Sequence, residues 1–199
     1  MTDDLDLASL LASRLCHDVV GPVGAIQNGL ELIAEDKSMT EMAMALIQKS
    51  AAQASAKLQF ARTAYGAAGG ADVLDPAEAG RLTAAMFEGE RATLSWQWNG
   101  APAGRVTVKL AMILATYALG AVPRGGEVTV EESDGAVIVT ATGDPVREPA
   151  FLDVLKGGQD VSDPRAVPAA LVQRLAKANG RSLDVEEGEG MMRFVTAAA

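Results

Sequence analysis

The stretch SRLCHDVVGPVGAIQNGLEL, Ser13 to Leu32, decides how this chain is read. It holds His17, the one histidine of the protein, followed directly by Asp18, with Pro22 five positions beyond the histidine. Leu11, Leu15, Val19, Val23, Ile26, Leu30 and Ile33 recur at three and four, the spacing of a helix with one apolar side. At about 100° per residue, His17 falls away from the centre of that side. It shares a strip of polar or small residues with Ser13, Arg14, Gly21, Gly24 and Asn28. A ring nitrogen offered to solvent, with little bulk one and two turns further on, suits a partner that approaches closely. Pro22 removes one backbone hydrogen bond and kinks a helix. The apolar stripe nevertheless continues in register through Ile33, so the spacing predicts one helix from about residue 5 to 35.

Working outward, Ser38 and Glu41 have the Ser-x-x-Glu spacing of a capping box and open a second helix. That helix is expected to run to about Tyr65, with Met42, Leu46 (or Ala45), Lys49, Ala52, Ala56, Gln59, Phe60 and Thr63 on its repeat. The short connection makes the two helices antiparallel. A lone hairpin cannot cover both apolar stripes, and a second copy supplies the missing layer. The expectation is a homodimeric four-helix bundle. GAAGGAD, residues 66–72, reads as a linker. It divides the chain into a hairpin over residues 1–67 and a second domain over 73–199.

In the second half, Asp75-Pro76-Ala77-Glu78 is a cap, a proline at the first helical position and an early acid, opening a helix to about Glu88. Thr93 to Trp98 reads as a strand and Asn99-Gly100 as a turn. Val106 to Ala121 is an apolar helix closed by Pro123. Gly126 to Glu132 and Ala136 to Thr142 alternate around Asp134-Gly135, a strong hairpin signal. Phe151 to Leu155 is a short helix. Asp163-Pro164 starts another that Gly180 stops, and a second hairpin joins Arg181–Glu186 to Met191–Thr196. The fold class is therefore α+β: a helical hairpin, then helices packed on one face of a mostly antiparallel sheet.

The 199 residues carry a net charge of −9, which argues against a nucleic-acid surface and disfavours anionic membranes. The single cysteine, Cys16, rules out an internal disulfide and fits a reducing compartment. No basic segment precedes the first apolar run, so no signal peptide is expected, and no apolar run is long enough for a membrane span. A soluble cytoplasmic protein is the expectation.

A lone histidine leaves several chemistries open. Metal binding lacks a second histidine. Acid–base catalysis is open, because an unperturbed imidazole titrates near 6.5. Nucleophilic attack by the imidazole is the remaining option. In that case Asp18 would accept the Nδ1 proton and orient the imidazole, leaving Nε2 as the nucleophile.

Histidine, acid, apolar residue and a proline at plus five, as in HDVVGP, resembles the H-box of histidine kinase dimerisation helices. The second half resembles the Bergerat-type kinase ATP-binding domain without its nucleotide residues. In KLAMILATYALGAVPRGGEVTV, Lys109 to Val130, the positions where kinases carry metal-binding asparagines hold Ile113 and Tyr117. The adenine box is reduced to Ala141-Thr142-Gly143-Asp144-Pro145, and the glycine-rich lid to Asp163–Pro168, which has no glycine. A phosphate cradle needs close backbone approach, hence glycines.

That combination resembles the ChpT-type histidine phosphotransferases of two-component phosphorelays. The resemblance implies that His17 accepts a phosphoryl group from the receiver-domain aspartate of a hybrid histidine kinase and passes it to response-regulator receivers. It implies no cofactor of the chain's own and no ATP, with Mg²⁺ brought by the receiver. Arg14, Gly21, Gly24, Asn28, Gln59 and Arg62 are the candidate docking residues, and Arg14 is placed to offset charge in the transition state. Gly21 stands where kinases that dephosphorylate carry a water-orienting Thr or Asn, so slow hydrolysis of the phosphohistidine is expected. The alternatives are an atypical active histidine kinase and a non-catalytic scaffold that docks receivers.

Overall fold

A computed structural model describes residues 4–66, 72–98, 100–158 and 161–198. The expected Asn99-Gly100 turn and most of the linker lie partly outside that set. Helix α1 runs Asp4–Glu35 with Pro22 inside it, and α2 runs Thr40–Ala64. A 3-10 turn, Lys37–Met39, joins them. Its cap is Asp36, whose carboxylate accepts the Ser38 N–H at 2.8 Å. Ser38 is therefore not the N-cap of the second helix: it lies inside this turn, Met39 takes the N-cap position without a side-chain hydrogen bond, and Thr40 Oγ1 donates to Lys37 O at 2.7 Å.

The face that α2 turns inward is lined by small residues. Ala43, Ser50, Ala54, Ala61 and Ala64 are buried there, together with Phe60. Of the large residues on the expected repeat, Phe60 is on that face at 1% exposure, whereas Met42 is 60% and Leu46 38% exposed. Small side chains let two helices approach, so the close-packed face has the weaker hydropathy signal. Gly29 on α1 serves the same approach: a Cβ there would lie 2.6 Å from Ile47 Cγ1. Along α1, Val23 and Leu30 also face outward at 50% and 57% exposure. A stripe of threes and fours this long spans two adjoining faces, and α2 covers one of them.

The second half is built on a five-stranded sheet. Strands β1 (Val73–Leu74) and β3 (Ala103–Gly104) form a separate two-residue antiparallel ladder that no sequence signal marked. The main sheet holds β2 (Ala92–Trp96), β4 (Gly126–Ser133), β5 (Ala136–Thr142), β6 (Asp184–Gly188) and β7 (Met191–Thr196). Their order is β2-β4-β5-β7-β6, antiparallel except for the parallel β2–β4 pair. Asp134 and Gly135 both have positive φ, 51° and 80°, as the two-residue turn between β4 and β5 requires.

Helices α3 (Pro76–Phe87), α4 (Arg105–Ala118), α5 (Leu152–Leu155) and α6 (Val167–Ala178) complete the domain. Asp75 caps α3 by accepting the Ala77 N–H at 2.9 Å. Alternate residues of the sheet, among them Val128, Val130, Val137, Val139 and Phe194, are fully buried on its helix-covered face. Helix α4 is the centre of this core, with Val108 and every residue from Leu110 to Ala115 at 0% exposure.

The two halves are packed together. Leu7 is buried in the main core, and Leu10 and Leu11 pack against it. Arg174 of α6 holds Asp4 at 2.6 Å, and Lys109 of α4 donates to the carbonyl of Gly66 at the end of the hairpin. Burial of Lys109, with Arg105 nearby, lowers its pKa from the ordinary lysine value. Among the described residues, no helix is long and apolar enough to cross a membrane.

Candidate functional site

The middle of α1 carries the site. The His17 side chain is 85% exposed, although it stands on a helix whose opposite side is packed. Two features keep the ring clear. It lies on neither the face toward α2 nor the face toward the sheet domain. An added Cβ at Gly21 or at Gly24, one and two turns further on, would meet no atom within 4 Å. Close helix packing therefore does not account for either glycine within this chain. Asn28 is exposed one turn beyond Gly24.

Asp18 lies next to the ring but does not hydrogen-bond to it: Asp18 Oδ1 is 3.8 Å from His17 Nδ1, beyond hydrogen-bond reach. Its other oxygen, Oδ2, accepts from Arg14 Nε at 3.0 Å, one turn back on the same helix. Asp18 is thus fixed by Arg14 while offering one oxygen toward His17. Arg14 is itself only 31% exposed.

Beneath this pair lies a small cavity of about 50 Å³ that sequence reasoning missed. It is lined from α1 by Arg14, Leu15, Asp18 and Val19, from the end of α2 by Lys57, Phe60, Ala61 and Tyr65, and from the second half by Met86, Thr116 and Pro168. Lys57 Nζ donates to the main-chain carbonyl of Asp18 at 2.9 Å. The Tyr65 ring stands edge-on to Phe60, 5.8 Å between centroids, and burial pushes its phenol up to about 12. Nothing in the spacing of α2 singles out Lys57 or Tyr65, because their partners lie across the hairpin. Gln59 Nε2 donates to Ser55 Oγ at 2.8 Å, and Arg62 is exposed in the last turn of α2. Among the described residues, neither is joined to His17 by a hydrogen bond or ion pair.

The segment matching the kinase lid, Asp163–Pro168, forms a 3-10 turn and the start of α6 instead of an open loop. Asp163 caps the turn. Hydrogen bonds from the Arg165 side chain and backbone, with Arg14 adding its charge, hold its carboxyl down to about 2. Ile113 and Tyr117 point into the core of the second domain. Ile113 is fully buried, and the Tyr117 hydroxyl donates to Ala150 O at 3.1 Å with its ring edge-on to Phe194. Among the described residues, no cluster of His, Cys, Asp and Glu is placed to hold a metal ion.

A helical hairpin that holds one imidazole in solvent, backed by an α+β domain, has the architecture of a phosphotransfer protein. The comparisons agree. The family model for the histidine phosphotransferase C-terminal domain matches residues 76–190. The protein phosphotransferase ChpT of Brucella abortus (strain 2308) is 38% identical over 189 residues, covering 91% of this chain and 90% of that one. The solved structure of a bacterial phosphotransferase superposes with a TM-score of 0.85 at 36% identity, covering 99% of this chain and 98% of the other. A histidine kinase domain from Erythrobacter litoralis aligns at a TM-score of 0.46 and 14% identity. The chain belongs to the histidine phosphotransferase family.

Proposed function

We propose that His17 is the phosphoryl carrier of this phosphotransferase. In this reading the Nε2 lone pair attacks the phosphorus of a receiver's aspartyl phosphate. The carboxyl O–P bond breaks, an N–P bond forms, and the aspartate leaves as a carboxylate. The reverse step on a second receiver delivers the group to a response regulator. The donor is the receiver domain of a hybrid histidine kinase, and the receivers supply the Mg²⁺.

The observation that carries the reading is the exposure of His17 on a helix packed along its other side, with cleared space beyond it. Attack in line requires the donor phosphorus to come within contact distance of the ring, and a fixed helix keeps that geometry from being lost. Asp18, held by Arg14, offers an acceptor on the Nδ1 side, and a modest ring rotation would close the 3.8 Å gap. Arg14 then acts through Asp18, in addition to the charge it places one turn from the reacting nitrogen.

Gly21 and Gly24 serve as clearance for the receiver. Gly24→Leu is expected to leave the fold intact, since nothing opposes the new side chain, and to slow transfer from a phosphorylated receiver by at least about tenfold. Thermal unfolding monitored beside transfer rate checks both halves of that expectation.

The packing of Ile113 and Tyr117 supports the reading that the chain is not an ATP-dependent kinase, since their positions are filled by core contacts instead of metal ligands. The working unit is a homodimer. Val20, Val23 and Leu30 on α1 and Met42, Leu46 and Leu58 on α2 are exposed in the single chain, at 38% to 67%. A second hairpin would bury such side chains in a four-helix bundle. Val23→Glu combined with Leu30→Glu is expected to convert a dimer of about 41 kDa into a monomer in light scattering, twice and once the 20.6 kDa chain mass.

A further inference from the structure

Pro22 leaves a gap in the backbone ladder of α1. In an α-helix the carbonyl of residue i accepts the N–H of residue i+4. The carbonyl that Pro22 cannot serve is therefore that of Asp18, the residue directly after His17. Lys57, reaching across from α2, donates to that same oxygen at 2.9 Å.

The match between vacancy and donor is specific. Lys57 is partly buried, its stem lies along the small cavity between the helices, and its ammonium ends on a main-chain oxygen. The nearest acid in sequence register, Asp18, has its carboxylate engaged by Arg14 instead. Among the described residues, no carboxylate forms an ion pair with Lys57. A surface lysine free to choose would keep its head in water. This one is committed to the carbonyl that the proline orphans.

We propose that Lys57 is a positioning residue for phosphotransfer, replacing the N–H that Pro22 lacks and thereby fixing the pitch of α1 at His17. The proposal rests on His17 being the acceptor. An interior proline loosens the turn that precedes it, and here that turn carries the reacting residue. A displacement of 1 Å at a reacting centre costs on the order of a hundredfold in rate. Lys57 holds the loosened turn against α2, so the helix keeps its clearance for the receiver without losing its aim.

The test is a four-variant cycle in the full chain: the parent, Lys57→Met, Pro22→Ala, and the two combined. Each is mixed with a receiver domain carrying labelled aspartyl phosphate, and amide hydrogen exchange in α1 is followed alongside. With Pro22 in place, Lys57→Met is expected to slow label transfer about tenfold, the loss of one charge-assisted hydrogen bond, and to speed exchange of the amides around residues 19–24. In the Pro22→Ala background the Asp18 carbonyl regains an N–H. There Lys57→Met is expected to change transfer by less than about twofold and to leave exchange as it was. An equal loss in both backgrounds, or no loss and no change of exchange beside Pro22, would overturn the proposal. His17→Ala is run in parallel. Label on that variant would defeat the acceptor reading, and the exchange data would still judge Lys57 on its own.

Discussion

His17→Ala is expected to stop phosphoryl uptake from a phosphorylated receiver, by more than about a thousandfold, while leaving the fold unchanged. The first half follows from chemistry. The nucleophile is the imidazole itself, and this chain has one histidine. The second half follows from burial. A side chain 85% exposed, whose one close polar neighbour stands at 3.8 Å, contributes little to stability, within about 0.5 kcal/mol. Equal denaturant midpoints for parent and variant, measured beside their uptake rates, separate loss of chemistry from loss of structure. Uptake by the variant at the parent rate would remove His17 from the mechanism.

The second large effect is expected at a position where the kinase pattern would place an asparagine. Ile113→Asn should destabilise the protein by about 3–5 kcal/mol, because it deletes a fully buried aliphatic side chain and buries an amide in its place. Neighbouring α4 positions are equally enclosed, so the amide would have no route to water. The variant should also fail to bind ATP, since one restored residue leaves Tyr117, one turn further along α4, packed edge-on against Phe194. Chemical denaturation and nucleotide titration read the two outcomes. A stable variant that binds ATP would mean that this helix borders a usable nucleotide site.

What could be read ahead of the structure follows from where each instruction is written. Local instructions were plain. The Asp75-Pro76 start of α3, the Asp134-Gly135 turn and the Gly180 stop after α6 are each made by residues within a few positions of the feature they form. The long apolar stripe of α1 survived Pro22 because one missing hydrogen bond does not outweigh a packed face. The inward face of α2 was only partly legible, for the opposite reason. Apart from Phe60 it is made of Ala and Ser, whose hydropathy is weak, while Met42, Leu46 and Leu58, which weigh in a periodicity count, point outward. The cap expected of Ser38 is missing because Asp36, accepting the Ser38 N–H, opens a 3-10 turn that takes in Ser38, and α2 starts beyond it at Thr40.

The candidate site divides in the same way. His17, Gly21 and Gly24 lie on one helix at readable spacing, so the open strip around the exposed His17 was foreseeable from the pattern. The Arg14–Asp18 pair was foreseeable too, since i and i+4 are neighbours on a helix surface. Lys57 and Tyr65 were not, because they reach the site only through the crossing of α1 and α2. Nor was the burial of Leu7 against the second half, which ties the first turns of α1 to the core of that domain. The hairpin and that domain share one core through residues that each segment alone would leave exposed.

The most direct test of the phosphoryl-carrier reading uses no nucleotide. The protein is mixed with a receiver domain labelled at its aspartyl phosphate, and the label is followed by peptide mapping. The account predicts label that is labile in acid and stable in base, confined to the peptide containing His17, and removed on adding a second, unlabelled receiver. Label that stays on the donor, or that reaches the chain from ATP alone, would contradict it.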